Sequence, residues 1–569
     1  MSMHSEPASK KGSADHSAPT WITISLSGGG YRAAVFAAGS LLAVADSSLR
    51  SSVASVSSVS GGSITSAVTV GGFAEPTSDE PDPMGQRVRL LAGLVQTRVI
   101  ATEYLISMLK PLPLGLAALL LLFLAFPDPR EESQKVIWFA AFILSGVFFL
   151  FATHSPLALT AIPRSWYAVQ RAVETLVSQV RGTIGSRAGT TLEDIAQDES
   201  TRRIFCTTDL SSGSHVYFTP GHILTPDGTG RNPNVFLSDV VTASACFPGF
   251  RPVVFRRTEL GLSGIPPARQ PRVHHYGRRL LVGLAGFIGV GVILSALAMR
   301  LAGPLSDNEN WRSTVPIFAA MVLGGAAMAS LCARTLWVRD DLTLVDGGVC
   351  DNLGTAFALL AQDTRYPDLP RIAGTDKPGL ILVVDASQPF TAPEPGWRGF
   401  GELIPLRLRG AQRTVLKLLG NANSMARKRA IQLLLSPGFS SAGAIVSIEQ
   451  IPELGHGQDW PALVERSKRV RTTLNALDNL AVRDLLQQSY RLTQTVLGDH
   501  GATPTRERST EEINSLTEEI TNDEIIGLYK QAKGPYARKD RHVILIGTLT
   551  AILSVSLIAR YLADWLFFR

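Results

Sequence analysis

The chain has 569 residues, room for two to four domains. Hydrophobic residues make up 45% and charged residues 18%, below the roughly 25% charged of a soluble domain, which argues for a globular part carrying membrane segments. The net charge of +6 comes from Arg and Lys residues that mostly flank apolar runs; this suits a membrane surface and speaks against a nucleic-acid partner.

The first residues, 1–19, are polar and Ser/Lys-rich without the apolar core of a signal peptide, and are expected to be a disordered tail. Trp21–Leu26 alternates and is β-branched, a first strand. Ser27-Gly28-Gly29-Gly30 follows, then a helix over Tyr31–Ala45. A strand, a Gly-rich loop and a helix serve two chemistries. Gly28-Gly29-Gly30-Tyr31-Arg32-Ala33 fits the dinucleotide fingerprint, although Asp46, the nearest acidic residue for a ribose, closes a helix rather than a second strand. The same loop suits an oxyanion site, in which bare backbone N–H groups face a developing negative charge.

Val53–Val59 is a second strand, and it stops at Ser60-Gly61-Gly62 before a helix beginning near Ser63. A strand turning sharply into a helix through a serine with small neighbours has the form of a nucleophile elbow; an ordinary Ser/Gly turn is the alternative. Ser58 stands where the usual elbow has glycine. With both strands parallel, the Gly loop and Ser60 come to lie side by side at the carboxyl edge of a sheet, where α/β sites lie.

Five apolar runs interrupt the chain: Leu112–Phe126, Val136–Ala152, Leu280–Met299, Val315–Cys332 and Val543–Ala559. They are expected to form two membrane hairpins and a C-terminal anchor, the first run being short enough to be re-entrant. Flanking Arg98, Lys110, Arg164, Arg278, Arg279, Arg334, Lys533 and Arg538 place the globular part on the cytoplasmic side. Between and after the hairpins, Arg203–Leu210, His215–Thr219, Leu342–Val345, Leu380–Val384 and Ala444–Ile448 read as strands, and Asp239–Phe250 and Leu474–Leu497 as helices. Leu342–Val345 delivers Asp346-Gly347-Gly348, either an ordinary turn or the partner of Ser60. His456 and His500 are the candidates for a triad histidine. Cys206, Cys246, Cys332 and Cys350 have neither metal-ligand nor disulfide-framework spacing.

The ordered set GGGYR at 28–32, SVSGG at 58–62, CTTDLSSG at 206–213, TASACFPGFRPV at 242–253 and VDGG at 345–348 resembles the patatin-like phospholipases over residues 20–497. The resemblance implies a three-layer α/β/α sandwich, here with inserted transmembrane hairpins and a C-terminal transmembrane helix. It divides the chain into a tail (1–19), a first part of the domain (20–105), a hairpin (106–155), a second part (156–277), a hairpin (278–338), a third part (339–500), a stalk (501–541) and an anchor (542–569). It implies a Ser60–Asp346 dyad, with Ser60 as nucleophile and Asp346 as general base. Gly28, Gly29 and Gly30 would form the oxyanion hole, supported by Arg32 and Gly62. No metal or cofactor is implied. The substrate would be a membrane phospholipid or lysophospholipid. Ser58 and Ala33 stand where the family usually has glycine. A non-catalytic lipid-binding module of the same fold and a nucleotide-binding membrane protein are the alternatives.

Overall fold

A computed structural model describes residues 19–97, 190–262, 341–357, 379–387 and 442–518, short gaps and a few isolated positions apart. The five apolar runs lie outside the described residues, as does His456. Among the described residues no helix is long and apolar enough to cross a membrane.

The β-branched runs build one mixed sheet of ten strands within an α/β fold. In chain order the elements begin with β1 (Trp21–Leu26), α1 (Gly30–Ala45), β2 (Val53–Val59), α2 (Gly61–Val68) and α3 (Pro83–Gln96). Next come α4 (Leu192–Asp198), β3 (Arg202–Asp209), β4 (Ser214–Thr219), β5 (His222–Thr225), β6 (Gly228–Gly230), α5 (Leu237–Ser244) and β7 (Val253–Arg256). The chain then supplies β8 (Asp341–Asp346), β9 (Gly379–Asp385), β10 (Ala442–Ser447), α6 (Trp460–Arg469), α7 (Asn479–Asp499) and α8 (Thr510–Ser515). The strand order is β10-β9-β1-β2-β3-β4-β5-β6, with β8 on β3 and β7 on β8. From β10 to β3 neighbouring strands are parallel; β4, β5 and β6 continue antiparallel.

One register governs the rest. β3 is longer than its partner β2, whose last pair is Val59 with Cys206. Beyond that point β8 takes over the same edge from the opposite direction, beginning with Asp346 opposite Thr207. β4 already occupies the other edge of β3 over these residues. The C-terminal ends of β2 and β8 therefore meet head to head along β3.

The sheet centre is buried on both faces, every residue of β1 and β9 included. Ile22, Ile24, Leu26, Val56 and Phe205 join the largest apolar cluster with side chains of α1, α2, α3, α5 and α7. A smaller cluster holds Val59, Ile204, Cys206, Tyr217, Leu224 and Phe357. α7 lies close along α1: a Cβ on Gly39 would collide with Ser489 and the backbone of Leu486. Tyr490 and Leu486 of α7 are buried beside it.

Among the described residues the expected strands and helices are present, several with shifted ends. The helix expected from Leu474 begins at Asn479, because the Asp478 carboxylate caps it by accepting the Ala481 N–H at 2.7 Å. The helix expected over Asp239–Phe250 covers Leu237–Ser244. The stalk expected at 501–541 is corrected over its first part. Residues 501–518 pack into the domain, and the carboxylates of Asp46 and Asp82 both accept from Arg508, at 2.6–3.1 Å. A polar segment can be internal when its charges are paired, and Arg508 is buried.

Candidate active site

Ser60 sits between β2 and α2 at φ 52°, ψ −117°. It is the one non-glycine residue with positive φ among the described residues. Such a conformation costs on the order of 1–3 kcal/mol and persists only where the surroundings hold it. The glycines after it are dictated by close approach. A Cβ on Gly61 would strike the Gly30 carbonyl, and one on Gly62 would come 2.8 Å from the Leu26 carbonyl oxygen. The elbow is thus seated directly on the Gly-rich loop.

Asp346 ends β8. Its carboxylate accepts the Gly348 N–H at 2.8 Å, and the Ser60 side chain lies close enough to favour its ionised form. It is 5% exposed, and no cation among the described residues pairs with it. Burial pushes its pKa up to about 6, against the opposing pull of the Gly348 N–H and the Ser60 side chain. A carboxylate in that range is ionised at neutral pH yet a stronger base than an exposed one.

The loop after β1 is held from three directions. The Ser27 N–H donates to Val384 at 3.0 Å, and Ser27 Oγ accepts the Ala386 N–H at 2.8 Å. The Gly28 N–H donates to the Asn352 carbonyl at 2.9 Å. Gly28 is therefore corrected as an oxyanion donor: its N–H is already engaged. Its lack of a side chain has another use, since a Cβ there would collide with the Asn352 amide and lie 3.2 Å from Ser60 Cβ. Gly29, at φ 145°, and Gly30, at φ 61°, open α1, and no described residue accepts their N–H groups. Those two donors start a helix, where the backbone dipoles favour negative charge.

Arg32 is buried under the loop rather than exposed to a ligand. Its guanidinium donates to the Val470 carbonyl at 3.0 Å and the Ala386 carbonyl at 2.8 Å. Burial lowers its pKa to about 10, partly offset by Asp385. It tethers the loop to the end of β9 and to the turn after α6.

The substitution at Ser58 is absorbed. Ser58 Oγ donates to the Ile204 carbonyl at 3.0 Å and accepts from Ser63 Oγ at 3.2 Å. Sequence reasoning missed two residues that the fold brings here. Asn352 joins the Asp346 loop to Gly28, and Ser244 accepts the Ser60 N–H at 3.1 Å. Both stand in or beside motifs visible in the sequence, six residues after Asp346 and inside TASACFPGF.

The alternatives fare less well. Asp46, the ribose candidate, lies past the far end of α1, about 24 Å along a helix of 16 residues, and is engaged by Arg508 and Tyr490. His500 is at the same end, beyond α7 and beside the contact of Ser48 with Thr503; its Nδ1 is 2.9 Å from the Val496 carbonyl oxygen.

No family model matches the chain, and no curated protein sequence does. Among solved structures it is similar to human GIVD cytosolic phospholipase A2, at 14% identity and a TM-score of 0.33, over 88% of this chain and 60% of that one. The same enzyme with methyl gamma-linolenyl fluorophosphonate gives 13% and 0.32, over 88% and 59%. VipD from Legionella pneumophila gives 10% and 0.21, over 91% and 93%. The chain thus aligns with about three fifths of the length of the human enzyme.

Proposed function

We propose that this chain is a patatin-like serine hydrolase of lipid acyl esters, acting on a phospholipid or lysophospholipid with a Ser60–Asp346 dyad. The observation that carries the reading is the strained φ of Ser60 together with its place beside a buried carboxylate that no cation among the described residues pairs with. A serine needs an adjacent base to attack an ester.

In the proposed reaction Ser60 Oγ attacks the acyl carbonyl carbon while its proton passes to Asp346. The carbonyl oxygen becomes an oxyanion that accepts from the N–H groups of Gly29 and Gly30, and Gly28 allows the close approach of the Asn352 loop. Collapse breaks the ester bond, and the leaving alcohol takes the proton from Asp346. A water then loses a proton to Asp346 and attacks the acyl-serine, releasing the fatty acid and restoring both groups. Arg32 holds the loop in place through Val470 and Ala386.

Membrane anchoring with the globular part facing the cytoplasm belongs to the same proposal. It rests on the apolar runs and their basic flanks, which would keep the cleft beside its substrate. The test is labelling of the purified full-length chain by a fluorophosphonate. Labelling of wild type, lost in Ser60→Ala and in Asp346→Asn, is the expected result. A folded wild type that neither labels nor hydrolyses a phospholipid vesicle overturns the catalytic reading and favours the lipid-binding module.

A further inference from the structure

The end of α5 touches both members of the dyad. Ser244, its last residue, is wholly buried and accepts the Ser60 N–H on its Oγ at 3.1 Å. The same hydroxyl donates to the Cys206 carbonyl at 2.7 Å, which turns its lone pairs toward Ser60. Ser63 Oγ lies 2.7 Å away on the remaining side, so the hydroxyl is enclosed. Two residues on, the Cys246 carbonyl accepts the Asp346 N–H at 2.8 Å. Cys206 faces Val59 in the β2–β3 ladder, and the next residue of β3, Thr207, faces Asp346. One short turn and one strand thus hold the nucleophile and the base from the same side.

The chemistry at Ser244 is specific. The Ser60 N–H precedes the first turn of α2 and has no acceptor within that helix. A residue held at positive φ relaxes when its anchoring bonds are removed. Only a group that accepts from Ser60 while donating to Cys206 satisfies both partners, and a hydroxyl does this in the space available.

We propose that Ser244 is a positioning residue for Ser60, and that the turn Ser244–Cys246 sets the separation of Ser60 from Asp346. The proposal rests on the hydrolase reading. It acts through the backbone of the elbow and not through contact with a substrate.

The test is the kinetics of fluorophosphonate labelling by the full-length chain in wild type, Ser244→Ala and Ser244→Thr. The rate constant is expected to fall about tenfold or more in Ser244→Ala, the scale of a sub-ångström misplacement, with the full number of sites still labelled. Ser244→Thr, which keeps the hydroxyl, is expected to recover to within about threefold of wild type. An unchanged rate, or a loss confined to the number of sites labelled, overturns the proposal, because a merely unstable variant loses sites and keeps its rate. If Ser244→Ala does not fold, Ser244→Cys takes its place: a thiol is a weak acceptor, so slower labelling supports the proposal and an unchanged rate overturns it. Should wild type neither label nor hydrolyse a phospholipid vesicle, the hydrolase reading falls. Hydrogen exchange of the peptide spanning Val59–Ser63 then decides: faster exchange in the variant supports the Ser244 anchor, and equal exchange overturns it.

Discussion

The two ends of the sheet bury carboxylates in opposite ways. At the amino end, Arg508 is clasped by Asp46 at 2.6 and 3.1 Å and by Asp82 at 2.7 and 2.8 Å, with the Tyr490 hydroxyl donating to Asp46 at 3.1 Å. Despite partial burial, hydrogen bonds and the charge of Arg508 hold the Asp82 carboxyl below its ordinary range, and against its own burial the carboxylates of Asp82 and Asp46 hold the guanidinium above its own. At the carboxyl end, Asp346 has among the described residues only the Gly348 N–H and the Ser60 side chain beside it, and burial raises its pKa to about 6. A buried charge with its counter-ion is silent. One without a counter-ion is destabilising and reactive. The comparison separates the end that holds the fold from the end that is held ready for chemistry.

The sharpest way to test that contrast is to remove the reactive pair. Ser60→Ala and Asp346→Asn are each expected to lower ester hydrolysis by about 10⁴-fold, read as kcat/KM on a phospholipid vesicle, without loss of folding. Removing the cation at the other end reverses the pattern. Arg508→Ala leaves two carboxylates facing each other and is expected to destabilise the domain by about 3–5 kcal/mol in urea unfolding, while the labelling rate of the molecules that remain folded is unchanged. If Arg508→Ala slowed labelling as strongly as it weakened the fold, the two ends would not be separable.

A third expectation concerns pH. The folded pKa of Asp346 lies above its unfolded value, so the folded state holds the proton more tightly over the interval from about 4 to about 6. Wild-type stability therefore declines as pH rises through that window. At pH 7.5 Asp346→Asn is expected to be more stable than wild type by up to about 3 kcal/mol, the advantage vanishing below about pH 4 where both states are protonated. The same ionisation sets the activity: kcat/KM should fall below about pH 6, with a slope of one proton. The smallest effect is expected at Ser58. Ser58→Gly removes the bonds to Ile204 and Ser63 and should cost about 1–2 kcal/mol in thermal unfolding, with hydrolysis within threefold of wild type.

Much of this was legible in the residues. β1 and β2 announce themselves by β-branched runs ending in glycine-rich loops, and Ser60 and Asp346 each close a strand. Local chemistry reached that far because each motif contains its own reason. Other features depend on partners remote in the chain. The role of Ser244 appears only once α5 is laid against β2, 184 residues away. The engaged N–H of Gly28 likewise depends on Asn352. β5, β6 and β7 are three or four residues long, too short to show a period. The 501–518 segment read as part of a stalk, and a polar sequence says nothing about burial until the partners of its charges are known.

The head-to-head meeting of β2 and β8 has a consequence for when the protein becomes active. Ser60 leaves the ribosome before Asp346, which follows 286 residues later, as the difference between positions 346 and 60. β3 must already be in place for either to find the other, and β9 joins the other edge of β1 later in the chain. Pairings so distant in sequence form late and slowly. A nascent chain that has not yet delivered β8 carries its serine without a proton acceptor. On the proposed hydrolase reading, synthesis and folding themselves act as the timer, because the pair is complete only once β8 has been laid on β3.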